Sequence, residues 1–517
     1  MSTSTIIIMI TIIAYLAMMV IIGVVFSKKN SNVGDFYLGG RKLGPIVTAM
    51  SAEASDMSSW LLMGLPGVAY LTGGAEAGWT AMGLAVGTYI NWLIVAKRLR
   101  VYSQRCRAIT IPDFFANRYR DKKAIMGISA IVILVFFVPY TASGFSACGK
   151  LFSSLFGWEY HTAVIISAII ITAYTCLGGF LAASFTDLIQ SIVMTVALVC
   201  IVAFGVYTAG GFGNVIDNAK DIPGYFSLTS IHNVETGGSD KYSLLTIASL
   251  MAWGLGYFGM PHVLLRFMAI EKKEKIKTSR RIASIWVVIS MAIAIFIGFV
   301  GNAVTKAGNL ESLDGSNSET VIIRLAQIMS EKHVLLAIAA GLVFAGILAC
   351  TMSTSDSQLL AASSSMSENV LKGVLGIKMS EKTSMLCARL VLVVIALLGI
   401  VLAWDQDSSV FRIVSFAWAG FGATFGPAML LALFWKRSNK WGTMSGMVVG
   451  AAMVFFWKFV IAEMAAKGSL PEVFGIYELL PAFVVGLLVN VVVSLATKAP
   501  EKEIIEEFDA VAAEMRS

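Results

Sequence analysis

Apolar runs about 20 residues long recur from one end of this chain to the other, each long enough to cross a bilayer as a helix. A helix in lipid satisfies its own backbone hydrogen bonds, so a chain made of such runs folds as a helix bundle within a membrane. Composition agrees, with 57% of the 517 residues hydrophobic and 14% charged, against roughly 25% charged in soluble domains. That shortage of charge excludes a large soluble all-α protein. The chain reads as an all-α polytopic membrane protein.

About thirteen spans are expected, at residues 5–27, 45–72, 77–96, 124–155, 161–182, 185–209, 243–269, 278–306, 335–369, 381–404, 408–435, 439–461 and 477–497. Basic residues gather in the connectors "SKKN" (27–30), "KRLRVYSQRCR" (97–107), "RYRDKK" (118–123), "EKKEKIKTSRR" (271–281) and "WKRSNK" (435–440). Those near 73–76, 156–160, 210–240 and 307–318 hold few. The positive-inside rule then puts the N-terminus outside and the C-terminus in the cytoplasm, in keeping with an odd number of spans. The same rule accounts for the formal charge of +7 without invoking nucleic acid. The N-terminus has no basic n-region or cleavage site and reads as a retained first span. One transmembrane domain is expected over 1–500. In the tail 501–517, Ile504, Phe508, Val511 and Met515 recur at helical spacing, as in a short cytoplasmic helix that packs on the body or stays partly loose.

Several chemistries find no support. The cysteines (Cys106, Cys148, Cys176, Cys200, Cys350, Cys387) are scattered without a CxxC pair, so neither a disulfide framework nor a metal site is signalled. "GLGYFG" (254–259) and "GFSACGKL" (144–151) resemble nucleotide-binding strings, but they lie inside spans rather than between a strand and a helix. There is no Ser–His–Asp set, HExxH or defined carboxylate pair, so no catalytic residue, enzyme activity or organic cofactor is expected.

Polar residues inside a bilayer are expensive and usually mark an ion or substrate path. Four stretches carry them. "SAEASDMSSWLLMGLPGVAY" (51–70) combines Glu53, Asp56 and serines with the helix-breakers Gly64, Pro66 and Gly67. These breakers follow the polar segment and relieve the helix just beyond it. "MAWGLGYFGMPHVLLRF" (251–267) has Gly254, Gly256, Gly259 and Pro261, five spans further on. Two interrupted helices at matching places in two five-span halves point to an inverted-repeat transporter, whereas either alone could be a packing kink. "ACTMSTSDSQLLAASSS" (349–365) clusters Ser353, Thr354, Asp356 and Ser357. Such hydroxyls either back-bond to their own helix or offer oxygens to a hard cation such as Na⁺. "GGFLAASFTDLIQ" (178–190) places Asp187 at the expected start of a span, where it either caps the helix or belongs to an ion path. Tyr140, Trp253 and Tyr257 sit beside breakers in mid-span and suit a substrate wall.

"DFYLGGRKLGP" (35–45), "SDMSSWLLMGLPG" (55–67), "GGFLAASFTDLIQ", "WGLGYFGMPH" (253–262), "MSTSDSQLL" (352–360) and "FAWAGFGATFGP" (416–427) together resemble the sodium:solute symporter family, in its order, over about 1–500. The resemblance implies a LeuT-like five-plus-five inverted repeat with broken helices, over about 45–209 and 243–435. It implies Na⁺-driven uptake of L-proline across the plasma membrane of a bacterial cell, or of another amino acid or organic acid by the same machine. By the same resemblance, Na⁺ would be bound by carbonyls of Ala54, Met57 and Cys350 and hydroxyls of Ser353 and Thr354, with Asp56 and Asp187 in support. Ser58, Trp60, Tyr140, Trp253, Tyr257 and Pro261 match substrate positions. Cys350 replaces a usual Ala, which a carbonyl ligand tolerates; Glu53, Ser59 and Met260 also depart from the pattern. Hydroxyls rather than a carboxylate chain in 349–365 favour Na⁺ over protons. Besides Na⁺, L-proline and membrane lipid, no obligate protein partner is expected. A sensor on this scaffold would carry an appended signalling domain, which the short tail argues against.

Overall fold

The computed structural model describes residues 2–27 and 33–515, so most of the "SKKN" connector and the last two residues of the tail lie outside the described residues. Unbroken apolar runs form long helices, among them Thr3–Ser27, Ala124–Phe156, Ile276–Lys306, Val334–Ser364 and Val410–Phe434. Val334–Ser364 lies at the centre, packed against Tyr160–Thr208, Thr3–Ser27, Pro45–Ser59 and Ala124–Phe156. Large apolar side chains such as Ile10, Ile169, Leu397 and Val401 point outward. An apolar exterior of that extent suits lipid rather than water.

Among the described residues, ten helices are long and apolar enough to span a membrane, or eleven if the pair Leu244–Phe258 and Pro261–Ala269, bent by 45°, counts as one. That falls short of the expected thirteen, for two physical reasons. Residues 45–72 form a helix broken internally at Ser58. Residues 161–182 and 185–209 fall in two helical segments that meet at Gly179, with φ 67° and ψ −179°; the second, Gly179–Thr208, is long enough to span, whereas the first is apolar only over Tyr160–Ala173 and is too short. Only a residue without Cβ takes that conformation cheaply, so the break falls at Gly179 rather than at 183–184.

Three connectors hold more structure than expected. The basic stretch after residue 96 is the helix Ala96–Arg105, with Leu99 and Tyr102 buried. Ser230–His232 and Ser239–Lys241 make a small antiparallel hairpin, a departure from the all-α reading. Beyond 314 come a 3₁₀ turn, Gly315–Thr320, and the helix Val321–Ser330. In the tail, Lys502–Glu514 is helical and buries Ile504, Phe508 and Val511. Phe508 lies beneath the guanidinium groups of Arg98 and Arg118, at 4.7 and 5.3 Å.

Candidate functional site

Pro45 starts a helix that runs to Ser58 and stops there, at φ 47° and ψ −171°. This region of backbone space is nearly reserved for glycine and costs a side-chain-bearing residue about 1–3 kcal/mol. Three hydrogen bonds hold it. The Trp60 N–H donates to Ser58 Oγ at 3.1 Å, and the Tyr140 hydroxyl donates to the Asp56 carbonyl at 3.1 Å. The Tyr257 hydroxyl donates to Asp56 Oδ2 at 2.6 Å. The chain resumes as one π turn, Trp60–Gly64, and then the helix Leu65–Thr72 with Pro66 in its first turn. The break therefore precedes Gly64, Pro66 and Gly67. Gly67 meets a separate need, since a Cβ there would lie 2.9 Å from the Glu319 backbone.

Just before the break, the Ser353 hydroxyl donates to the Ala54 carbonyl at 2.8 Å and reaches the Cys350 carbonyl at 3.2 Å. The structure thus brings Ala54, Cys350 and Ser353 together from two helices. Thr354 Oγ1 and Asp56 Oδ1 are buried without a hydrogen-bond partner. Orphaned buried oxygens beside a cluster of carbonyl and hydroxyl oxygens fit a hard cation, which would satisfy them. Met57 stands at the break, its carbonyl accepting the Trp60 N–H.

The second interruption is built differently. Leu244–Met251 passes into a 3₁₀ segment, Ala252–Phe258, and an α-helix begins again at Pro261. Pro261 suits a first turn because it has no N–H to leave unsatisfied. Trp253 faces Trp60 at a ring-centroid distance of 5.6 Å, and Phe411 packs on both, at 5.8 and 5.5 Å. Trp418 donates to the Trp253 carbonyl at 2.7 Å and meets Tyr257 edge-on at 5.1 Å. A cavity of about 340 Å³ is lined by Trp253 and Phe411, with Tyr477, Arg412, Lys458 and Glu478 also in its wall. Five of the six candidate substrate residues, Ser58, Trp60, Tyr140, Trp253 and Tyr257, thus gather around the two breaks. Pro261 sets the start of a helix.

Asp187 does not cap a helix. It lies within Tyr160–Thr208, eight residues beyond Gly179, and pairs with Arg266 at 3.1 Å. Sequence reasoning missed Arg266 because a single arginine in an apolar run gives no hint of its partner. It also left Glu53 without a role. The Glu53 carboxylate accepts from Trp92 Nε1 at 2.8 Å and Thr88 Oγ1 at 3.2 Å, tying the first broken helix to its neighbour. Phe411 sits in a long apolar run with no signal to set it apart from core, and Trp418 lies in the string 416–427 with no role assigned to it by the sequence.

Two broken helices that meet around buried oxygens and aromatic rings, inside a lipid-facing bundle, define a membrane transporter of the LeuT-like fold. The model of the sodium:solute symporter family matches residues 36–450, and the chain belongs to that family. It is 41% identical over 493 residues to the high-affinity proline transporter PutP of Bacillus subtilis, covering 95% of this chain and 98% of that one. It is 41% identical over 503 residues to the sodium/proline symporter of Escherichia coli, covering 97% and 95%. A third relative, the sodium/proline symporter of Haemophilus influenzae, is 42% identical over 518 residues, covering 97% of each chain. Among solved structures, a Na⁺-coupled sialic acid symporter in a substrate-bound outward-open state superposes with a TM-score of 0.77 at 18% identity, covering 96% and 99%. MhsT in complex with L-phenylalanine gives 0.52 at 14% identity, covering 88% and 99%.

Proposed function

We propose that this chain couples inward Na⁺ flow to uptake of L-proline across the plasma membrane of a bacterial cell, with the N-terminus outside and the C-terminus in the cytoplasm. One observation carries the reading: the Ser353 hydroxyl reaches Ala54 just before the Ser58 break, while Tyr257 of the second interrupted helix reaches Asp56. An ion and a solute bound there would act on the same few residues. The names of the relatives support proline, and the hydroxyl and carbonyl oxygens support Na⁺.

In this reading Ala54, Met57, Cys350, Ser353 and Thr354 hold Na⁺, and Asp56 orients the loop through Tyr257. Sodium stabilises the strained shape at Ser58 and so lowers the conformational cost of binding the solute; the effect is reciprocal by linkage. The amide groups after Ser58 receive the carboxylate, as helix N-termini do for anions. Trp60, Trp253 and Tyr140 pack the pyrrolidine ring. The repeats over about 45–209 and 243–435 then rock about the site. Transport needs no organic cofactor, catalytic residue or obligate protein partner. Another amino acid or an organic acid is the alternative, favoured by the unusual Ser59 and Met260 beside the breaks.

Uptake of labelled proline into proteoliposomes tests the reading, with Na⁺, Li⁺ or a proton gradient imposed in turn. Accumulation only with an inward Na⁺ gradient is expected. Proline uptake indifferent to Na⁺ removes the coupling claim, and uptake of a different solute alone removes the substrate claim.

A further inference from the structure

The helix Gly74–Ile90 and the π turn Asn91–Val95 that follows it touch both interrupted helices. Residues four apart share one face of a helix, and two such rows do different work here. Thr88 and Trp92 face the first interrupted helix, where both donate to the Glu53 carboxylate. Gly83, Gly87 and Asn91 face the second. A Cβ on Gly83 would lie 2.3 Å from the Met251 carbonyl oxygen, and one on Gly87 2.3 Å from that of Gly254, so the two backbones are in direct contact. The next residue of the row, Asn91, carries a side chain. It is fully buried, and its Nδ2 donates to the Tyr257 carbonyl at 3.0 Å.

That carbonyl needs an outside donor. Tyr257 lies at the end of the 3₁₀ segment Ala252–Phe258, where the last carbonyls find no partner within the helix. Continuing as an α-helix would offer the N–H of residue 261, but Pro261 has none. Leaving a buried carbonyl unpaired is costly, and Asn91 supplies the missing N–H. The same tyrosine donates its hydroxyl to Asp56 Oδ2 at 2.6 Å, beside the Ser58 break. One end of Tyr257 is thus fixed by Asn91, and the other holds the hinge.

We propose that Asn91 is a positioning residue for the ion and solute site: its amide fixes the Tyr257 backbone so that the Tyr257 hydroxyl reaches Asp56. This rests on the Na⁺-coupled reading above. Without the amide, the Tyr257 carbonyl turns away to find another donor, and the bond to Asp56 is lost with it.

The full-length chain, purified and reconstituted, tests this in a double-mutant cycle of Asn91→Leu and Tyr257→Phe, read as the Na⁺ concentration for half-maximal proline uptake. Leucine keeps about the volume of asparagine and removes the donor. Each single variant should raise the Na⁺ requirement about tenfold, and the two together also about tenfold, because both remove the one bond to Asp56. A rise of about a hundredfold in the double variant would show that Asn91 acts independently of Tyr257 and would overturn the proposal. A wild-type Na⁺ requirement in folded Asn91→Leu would overturn it equally. Where Asn91→Leu is too unstable to isolate, Asn91→Ala takes its place in the cycle, with the same outcomes. Wild-type proline uptake indifferent to Na⁺ would instead fault the function. The cycle is then read in thermal stability, where a loss in the double variant equal to the sum of the single losses overturns the proposal.

Discussion

The break at Ser58 is made by one polar residue in a strained conformation, whereas the interruption at 252–261 is made by glycines packed closely on neighbouring backbone and on Trp418, and by Pro261 at the start of the next helix. A Cβ on Gly254 would lie 2.2 Å from the Gly83 carbonyl, and one on Gly256 2.0 Å from Trp418 Nε1. The second interruption is therefore fixed by its neighbours and has no room to shift alone. The first is held by three hydrogen bonds from Trp60, Tyr140 and Tyr257, two of them reaching Asp56. The contrast suggests a division of labour: a rigid aromatic wall on one side, and on the other a polar hinge that a bound ion can stabilise.

The largest effect should come from crowding the rigid side. Gly254→Val forces a branched side chain into the Gly83 backbone and should cost about 3 kcal/mol or more, seen as loss of the monodisperse peak in detergent. A well-folded Gly254→Val with normal uptake would dissolve the contrast. Next, Ser353→Ala with Thr354→Ala removes two candidate ion ligands from the hinge side. Each should weaken Na⁺ about tenfold, or about 1.4 kcal/mol, so half-maximal uptake should require about a hundredfold more Na⁺ with the melting temperature little changed. Tyr257→Phe deletes one buried hydrogen bond to Asp56, worth about 1.5 kcal/mol. It should raise the Na⁺ requirement about tenfold, which a Na⁺ titration of uptake would show. The smallest effect is expected at the hinge itself. Ser58→Gly relieves a disfavoured φ and loses the bond to the Trp60 N–H, a net gain of at most about 1 kcal/mol. Melting should rise by a few degrees while proline binding weakens; a fall in melting temperature would mean that no strain is stored there.

Much of this could be read from the residues, because lipid leaves a chain few options. Apolar length alone marked most spans, and the pairing of two interrupted helices marked the centre of the fold. The serine and threonine density near 353 was visible for the same reason, since hydroxyls are rare in apolar helices without a partner. Other features escaped because they depend on which helix ends up beside which. Arg266 and Asp187 are 79 residues apart, and Glu53 and Trp92 are 39 apart; nothing local in either member announces the other. The exact break was missed for a different reason. Gly64, Pro66 and Gly67 read as relieving the helix beyond the polar segment, and nothing local puts the break on Ser58; tertiary hydrogen bonds force it onto that residue, whose own preference runs the other way. Glu319 shows the same limit: it accepts from the Val410 and Phe411 N–H groups and pairs with buried Lys150 at 3.0 Å, from the connector between two expected spans.

The central claim is that ion and solute meet through the hinge at Ser58. Equilibrium binding on the purified chain tests it most directly, with proline affinity measured at zero and saturating Na⁺ and Na⁺ affinity at zero and saturating proline. The account predicts that each ligand tightens the other by the same factor, at least about tenfold, and that Ser353→Ala with Thr354→Ala removes the effect. Proline binding of equal strength with and without Na⁺ would contradict it.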